Sequence, residues 1–263
     1  MSNEQAYYEN PALWTPERYE GPNAERTKLT IQQLPSDVTS VLDTGCGSGV
    51  LTNQLQGISS VVGIDRSMAA LQWVETPRCQ ADISRLPFAD GAFDALISNE
   101  VLEHLPVLTF AQALAEMARV ARRYILVTVP YQEKRELNRT TCSKCGCQFH
   151  ANYHMRSFFL KDLQNLFGDW ASIKLVKAEG IVPAKSLWFR REWTMMRYNL
   201  FHRGLNFPWS AKCPQCGYSS SELPSKDILE RQQSYRGFLK SIINPIWPKK
   251  VLPLWWLALY VKR

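Results

Sequence analysis

Four short apolar runs, SVLDTG (40–45), SVVGID (60–65), FDALIS (93–98) and YILVTVP (124–130), are separated by stretches long enough to hold helices. Strands that are apolar almost throughout are buried on both faces, and that happens where helices cover both sides of a parallel sheet. The alternation therefore restricts the chain to an α/β architecture of parallel strands and crossover helices. Leu114, Met117, Ala118 and Ala121 recur at helical spacing and predict a helix over 110–123. A further helix near 157–167, with Phe159, Leu163 and Leu166 inward, precedes a strand at SIKLVKAEG (172–180), and WWLALYVKR (255–263) reads as a final antiparallel strand.

The first run leads into VLDTGCGSG, a strand followed by a glycine turn, with Leu51 to Leu55 predicted to begin a helix. Glycines let the backbone turn tightly and approach a ligand, and a helix N-terminus offers free N–H groups, so a nucleotide-like ligand is expected. A dinucleotide fingerprint needs a third glycine at position 50, where Val50 stands, and Asp43 sits at the strand end; both argue against NAD. Asp65 closes the second strand, where a carboxylate can accept both hydroxyls of a ribose. Asp82, in CQADISRLPF, lies where a strand end and loop would flank an adenine.

Together, VLDTGCGSG, VVGIDRS, ADISRLPFADGAFDALISNEVLEHL and RYILVTVP resemble a class I S-adenosylmethionine-dependent methyltransferase of the broad type 11 group. The resemblance implies a doubly wound, mostly parallel seven-stranded sheet with helices on both faces. It also implies that Asp43, Gly45, Gly47 and Gly49 border the amino-acid end of S-adenosylmethionine, and that Asp65, with Arg66 beside it, holds the ribose. Asp82 and Ile83 would contact the adenine, and Asn99 would lie beside the methyl donor.

Methyl transfer from a sulfonium needs an aligned nucleophile, and a base only where the acceptor must lose a proton. SNEVLEHL offers Glu100, Glu103 and His104 just past the third run; His104, with Glu103, is the candidate base, and capping or packing the next helix is its other reading. Ser98-Asn99-Glu100-Val101 is not the Asn/Asp-Pro-Pro-aromatic tetrapeptide that accompanies methylation of exocyclic base nitrogens, and no cysteine stands beside a proline for attack on a cytosine carbon. The expected acceptor is a small molecule or a glycan, methylated at oxygen or nitrogen. The alternatives are a zinc-ribbon protein that modifies RNA or binds nucleic acid, and a silent domain used for interaction. A nucleic-acid binder calls for a dense basic stripe, whereas the formal charge of +7 is dispersed in pairs such as Arg122–Arg123, Arg190–Arg191 and Lys249–Lys250.

Seven cysteines in a chain with no basic, apolar export signal point to a cytoplasmic protein whose thiols bind metal rather than form disulfides. Cys142-x-x-Cys145-Gly146 and Cys213-x-x-Cys216-Gly217 are two copies of one knuckle, and together they predict one closed zinc site. A thiol redox pair is the competing reading. Cys147, His150 and His154 remain as replacement ligands, as a separate metal or anion site, or as packing around the knuckle; Cys46 and Cys79 read as small buried fillers.

The expected organisation is a helical cap over 1–35, a cofactor-binding core over 36–180, a zinc-stapled lid or acceptor platform from 141–154 and 181–250, and the final core strand at 251–263. Within the lid, Leu187 to Phe201 places Phe189, Trp193, Met196 and Leu200 at helical spacing, which suits packing on the core, a partner or a lipid surface. The longest apolar run, 251–261, is too short for a spanning helix of roughly 20 residues. Oligomeric state is not legible.

Overall fold

The computed structural model describes residues 3–14, 22–55, 57–180, 182–183, 211–219 and 251–263. The helix expected over 187–201 lies outside the described residues. The strands are β1 (Ser40–Thr44), β2 (Ser60–Asp65), β3 (Arg78–Gln80), β4 (Phe93–Asn99), β5 (Ala121–Pro130), β6 (Arg139–Thr141), β7 (Gln148–His150), β8 (Ala171–Glu179), β9 (Val182–Pro183), β10 (Val251–Leu252) and β11 (Trp255–Lys262). The α-helices are α1 (Asn3–Tyr8), α2 (Pro22–Gln32), α3 (Met68–Leu71), α4 (Val107–Val120) and α5 (Leu160–Gln164).

The chain divides into a larger unit, Tyr8–Glu133 with His154–Gly180 and Pro253–Arg263, and a smaller one, Met1–Tyr7 with Lys134–Tyr153 and Ile181–Leu252. In the larger unit seven strands form one sheet in the order β3-β2-β1-β4-β5-β11-β8. β1 to β5 run parallel, and β11 pairs antiparallel with both β5 and β8. The apolar runs predict its parallel strands, and the resemblance implies this doubly wound, mostly parallel seven-stranded sheet.

Side chains of successive strand residues leave on opposite faces. Leu42, Leu96, Ile125, Val127, Trp256, Ala258 and Tyr260 pack on one face with Ala113, Met117 and Val120 of α4. Val41, Ala95, Ile97, Leu126, Leu257 and Leu259 pack on the other with Leu51 and Leu55. Each large aliphatic side chain buried this way contributes about 1.5–3 kcal/mol, which is why both faces must be covered. The buried polar ends are satisfied: Tyr260 donates to the Leu163 carbonyl at 2.7 Å and the Trp256 indole to that of Phe158 at 3.1 Å.

Three local expectations need correction. The helix expected over 110–123 is shifted to 107–120, because Ala121 already pairs with Phe93 and Tyr124 with Ala95. The helix near 157–167 is confined to 160–164, and Phe159 sits at its N-terminus 46% exposed rather than inward. Leu51 to Leu55 makes a single 3-10 turn, Thr52–Gln54, not a longer helix.

At the edge where β1 and β4 begin, Asp94 accepts bonds from the Thr39 N–H at 3.0 Å, the Thr39 hydroxyl at 2.7 Å and the Ser40 N–H at 3.2 Å. Arg122 reaches it at 3.2 Å and Arg123 at 3.6 Å. These contacts tie three strands together at the end opposite the glycine loop. The described part of the smaller unit holds two short antiparallel pairs, β6 with β7 and β9 with β10, and a core of Cys142, Phe149, Tyr153, Ala211 and Cys213.

Candidate functional site

In an open α/β sheet, ligands bind beyond the carboxyl ends of the strands where the strand order reverses. Here β1 is the first strand, with β2 on one side and β4 on the other, so the loops after these three strands meet. Asp43, near the end of β1, is 1% exposed. Its Oδ2 accepts from the Thr52 hydroxyl at 2.6 Å, while its buried Oδ1 has no hydrogen-bond partner among the described residues. Burial, against the Thr52 bond and with help from the charge of Asp65, raises its pKa to about 7.

Gly45, Gly47 and Gly49 take φ values of 70°, 56° and 78°. The turn needs glycine for space as well: a Cβ on Gly45 would meet Val101 at 2.5 Å, and one on Gly47 would meet the Trp14 ring at 2.9 Å. Asp65 accepts the Gly47 N–H at 2.9 Å and the Ser67 N–H at 2.8 Å, so its carboxylate braces the glycine loop from the end of β2. Burial raises its pKa despite these bonds.

The segment Tyr8–Trp14 is a contributor that the sequence did not reveal beyond an expected cap. The Ser67 hydroxyl donates to the Tyr8 carbonyl at 2.8 Å, Glu9 receives the N–H groups of Met68 and Ala69 at 3.2 Å, and Arg66 lies over the Tyr8 ring at 4.6 Å. With Trp14 against Gly47, this segment straps across the loop.

Asp82 is exposed and occupied locally, its Oδ1 receiving the Ser84 N–H at 2.8 Å and hydroxyl at 2.6 Å, while the adjoining Ile83 is buried. Asn99 ends β4 and its Oδ1 accepts from Thr128 at 2.7 Å and Thr30 at 3.4 Å. Glu100 follows at φ 54°, a left-handed conformation that costs a side-chain-bearing residue about 1–3 kcal/mol and is typical of functional sites. Arg26 stands 3.6 Å from it. Glu103 is fully buried, neither carboxylate oxygen has a hydrogen-bond partner among the described residues, and burial together with Glu100 holds its pKa well above the usual range. His104 is half-buried; its Nδ1 meets the Tyr8 hydroxyl at 3.2 Å and its Nε2 lies 3.9 Å from Glu103 Oε1.

In the smaller unit the four knuckle cysteines converge. Cys142 and Cys216 sulfurs are 3.7 Å apart, Cys145 and Cys213 are 3.6 Å apart, and all four lie within 4.8 Å of one another. Each knuckle closes the same way, the Gly146 N–H donating to the Cys142 carbonyl and the Gly217 N–H to the Cys213 carbonyl, both at 2.9 Å. Burial works against a Cys213 thiolate, but the N–H groups of Cys216 and Gln215 and the neighbouring thiols outweigh it and bring its pKa down to about 6. Cys147 and His150 stand outside the foursome, and His150 Nδ1 accepts the Asn152 N–H at 3.2 Å. Cys46 and Cys79 are half-buried rather than core fillers.

The sheet order with its antiparallel strand, and the glycine loop beside Asp65, make a seven-stranded α/β fold shared with solved methyltransferase structures. Residues 42–124 match the family described as a methyltransferase domain. The chain is similar to a demethylmenaquinone methyltransferase of Mycolicibacterium vanbaalenii, 39% identical over 100 residues that make up 36% of this chain and 42% of that one. It is also similar to the O-methyltransferase cnsE of Penicillium expansum, 33% identical over 132 residues, 44% of this chain and 46% of the relative. The chain thus spans less than half the length of these curated relatives. Among solved structures, a chain of the complex between the Haloferax volcanii Trm112 methyltransferase activator and a methyltransferase superposes with a TM-score of 0.57 at 15% identity, covering 100% of this chain and 98% of the other. No described helix is long and apolar enough to cross a membrane.

Proposed function

We propose that this chain is an S-adenosylmethionine-dependent methyltransferase that methylates an oxygen or nitrogen of a small-molecule or glycan-type acceptor. The observation that carries the reading is the buried oxygen of Asp43 that has no partner among the described residues, beside a loop of left-handed glycines, a cradle shaped for a cationic ligand end. S-adenosylmethionine, when bound, supplies an electrophilic methyl group on a sulfonium. Gly45, Gly47 and Gly49 let the backbone approach the amino-acid end, and Asp43 supplies the charge that this end requires. Asp65, flanked by Arg66, retains lone pairs beyond those used by Gly47 and Ser67 and accepts the ribose hydroxyls. Asp82 and Ile83 border the adenine and Asn99 lies beside the methyl group, while His104 and Glu103 stand on the acceptor side and assist loss of its proton. The names of the relatives, one for demethylmenaquinone and one for O-methylation, support a small organic acceptor.

Calorimetric titration with S-adenosylmethionine tests this. Wild type should bind, and Asp65→Ala should weaken binding at least about tenfold, since a hydrogen bond to a charged group is worth about 1.5–3 kcal/mol. Absence of binding by wild type sinks the enzyme reading, and equal binding by the variant removes the ribose role.

The four cysteines are proposed to hold one structural zinc ion. A tetrahedral ion with Zn–S bonds of about 2.3 Å spaces its sulfurs about 3.8 Å apart, close to the 3.6 and 3.7 Å separations present. Metal analysis should find one zinc per chain, and freely titrating thiols without metal would refute it.

A further inference from the structure

Glu103 lies in the interior with both carboxylate oxygens unpartnered among the described residues, a state that costs several kcal/mol for a charged group. Protonation alone does not resolve it, because a carboxyl O–H needs an acceptor that no described residue provides. Around it, ligand atoms of Glu103, His104 and His154 lie within 4.8 Å of one another. The two imidazoles are 4.7 Å apart and nearly perpendicular, at 83°, an edge-to-face contact that leaves room for both to serve one ion.

Each histidine is held from behind. His104 Nδ1 meets the Tyr8 hydroxyl at 3.2 Å, and His154 Nδ1 is bound by the Glu133 carboxylate. Outer partners of this kind fix the tautomer and ring orientation of metal-bound histidine, turning Nε2 toward the ion. We propose that Glu103, His104 and His154 form a site for one divalent transition-metal ion, separate from the four cysteines. Two nitrogens and one carboxylate oxygen on one side leave the opposite positions open, the arrangement that suits first-row metals and an exchangeable oxygen ligand. Bond lengths of about 2.0–2.2 Å put neighbouring ligand atoms about 3–3.4 Å apart. The 3.9 Å from Glu103 Oε1 to His104 Nε2 therefore closes with a small side-chain rotation. Resting on the methyltransferase reading, the open positions take a hydroxyl oxygen of the acceptor, beside Asn99 at the end of β4.

The test uses the full-length protein with its zinc retained. Mn²⁺ is titrated and the free ion followed by electron paramagnetic resonance, because this metal competes poorly for thiolates. Wild type should bind one Mn²⁺ per chain, and Glu103→Gln and His154→Gln should each lower the affinity at least about tenfold. Both variants are checked by circular dichroism, and Glu103→Gln removes a buried ionisable group, which favours folding. No binding by wild type, or undiminished binding by a folded Glu103→Gln, overturns the proposal. Co²⁺ gives a second readout: a spectrum without thiolate charge transfer supports the site, and one dominated by that band refutes it. S-adenosylmethionine is titrated separately, so that loss of the methyltransferase reading and loss of the metal site appear as different results.

Discussion

Asp43→Asn tests whether the ligand-free protein carries a carboxylate in an unfavourable ionisation state. Burial, only partly offset by Thr52, moves the Asp43 pKa from 3.8 to about 7. The folded value lies above the unfolded one, so the native state binds the proton more tightly and stability falls as pH rises through that window. Linkage with these two values gives a cost on the order of 1–2 kcal/mol near pH ~5 and about 4 kcal/mol near pH ~8. Asparagine keeps the shape and can accept the Thr52 hydroxyl, but it does not ionise. The stability difference between variant and wild type should therefore shift by about 2–3 kcal/mol in the variant's favour between those two pH values. Urea denaturation of the ligand-free protein, followed by circular dichroism at both pH values, measures it. A stability difference that does not change with pH refutes the reasoning. Cofactor binding should show the opposite preference: a cation above Asp43 favours the ionised form, so wild type should release protons on binding and the variant should not. Calorimetry in buffers of different ionisation enthalpy reads this directly.

Asp94→Asn should destabilise the larger unit. Thr39 above all, through its hydroxyl and N–H, holds the Asp94 pKa down to about 2. The shift from the ordinary value is worth about 2 kcal/mol, and because Arg122 and Arg123 are solvent-exposed, screening by water of their ion pairs with Asp94 reduces it to about 1–2 kcal/mol. The folded pKa is the lower one, so this contribution is complete above pH ~4 and lost as pH falls toward ~2, which an acid titration of stability will show. Gly47→Ala should cost about 1–2 kcal/mol from its left-handed backbone and also displace Trp14, altering tryptophan fluorescence. Gly57→Ala, at φ 88° with nothing within 4 Å, should cost only the backbone part. Equal effects from the two substitutions would show that Trp14 is not in contact.

The long strands were legible because helices cover both faces, leaving β1, β2, β4, β5 and β11 nearly free of polar interruptions. β3 was legible only as a strand end before Asp82: it has three residues, none fully buried, and lies at the edge of the sheet. Arg122 and Arg123 read as the polar end of a helix, yet they belong to β5, where their length lets them reach Asp94 from the start of the strand. Glycine spacing and the strand-end carboxylates were visible because local backbone geometry dictates them. The pairing of Glu133 with His154 was not, because it joins residues 21 apart through tertiary structure. Likewise, aromatics at Tyr8 and Trp14 signalled burial without indicating that they would meet His104 and Gly47.

The position of β11 between β5 and β8 bears on how the protein is made. A ribosome releases β5 and β8 long before Trp255–Lys262, and until then each presents an unpaired edge where β11 will later bond. Exposed edges of this kind invite pairing with other chains, and a contact formed across so much intervening sequence is slow. The nascent chain is therefore expected to need shielding while residues 180–254 are synthesised. Truncations that remove β11 should aggregate even though every residue of the glycine loop is present.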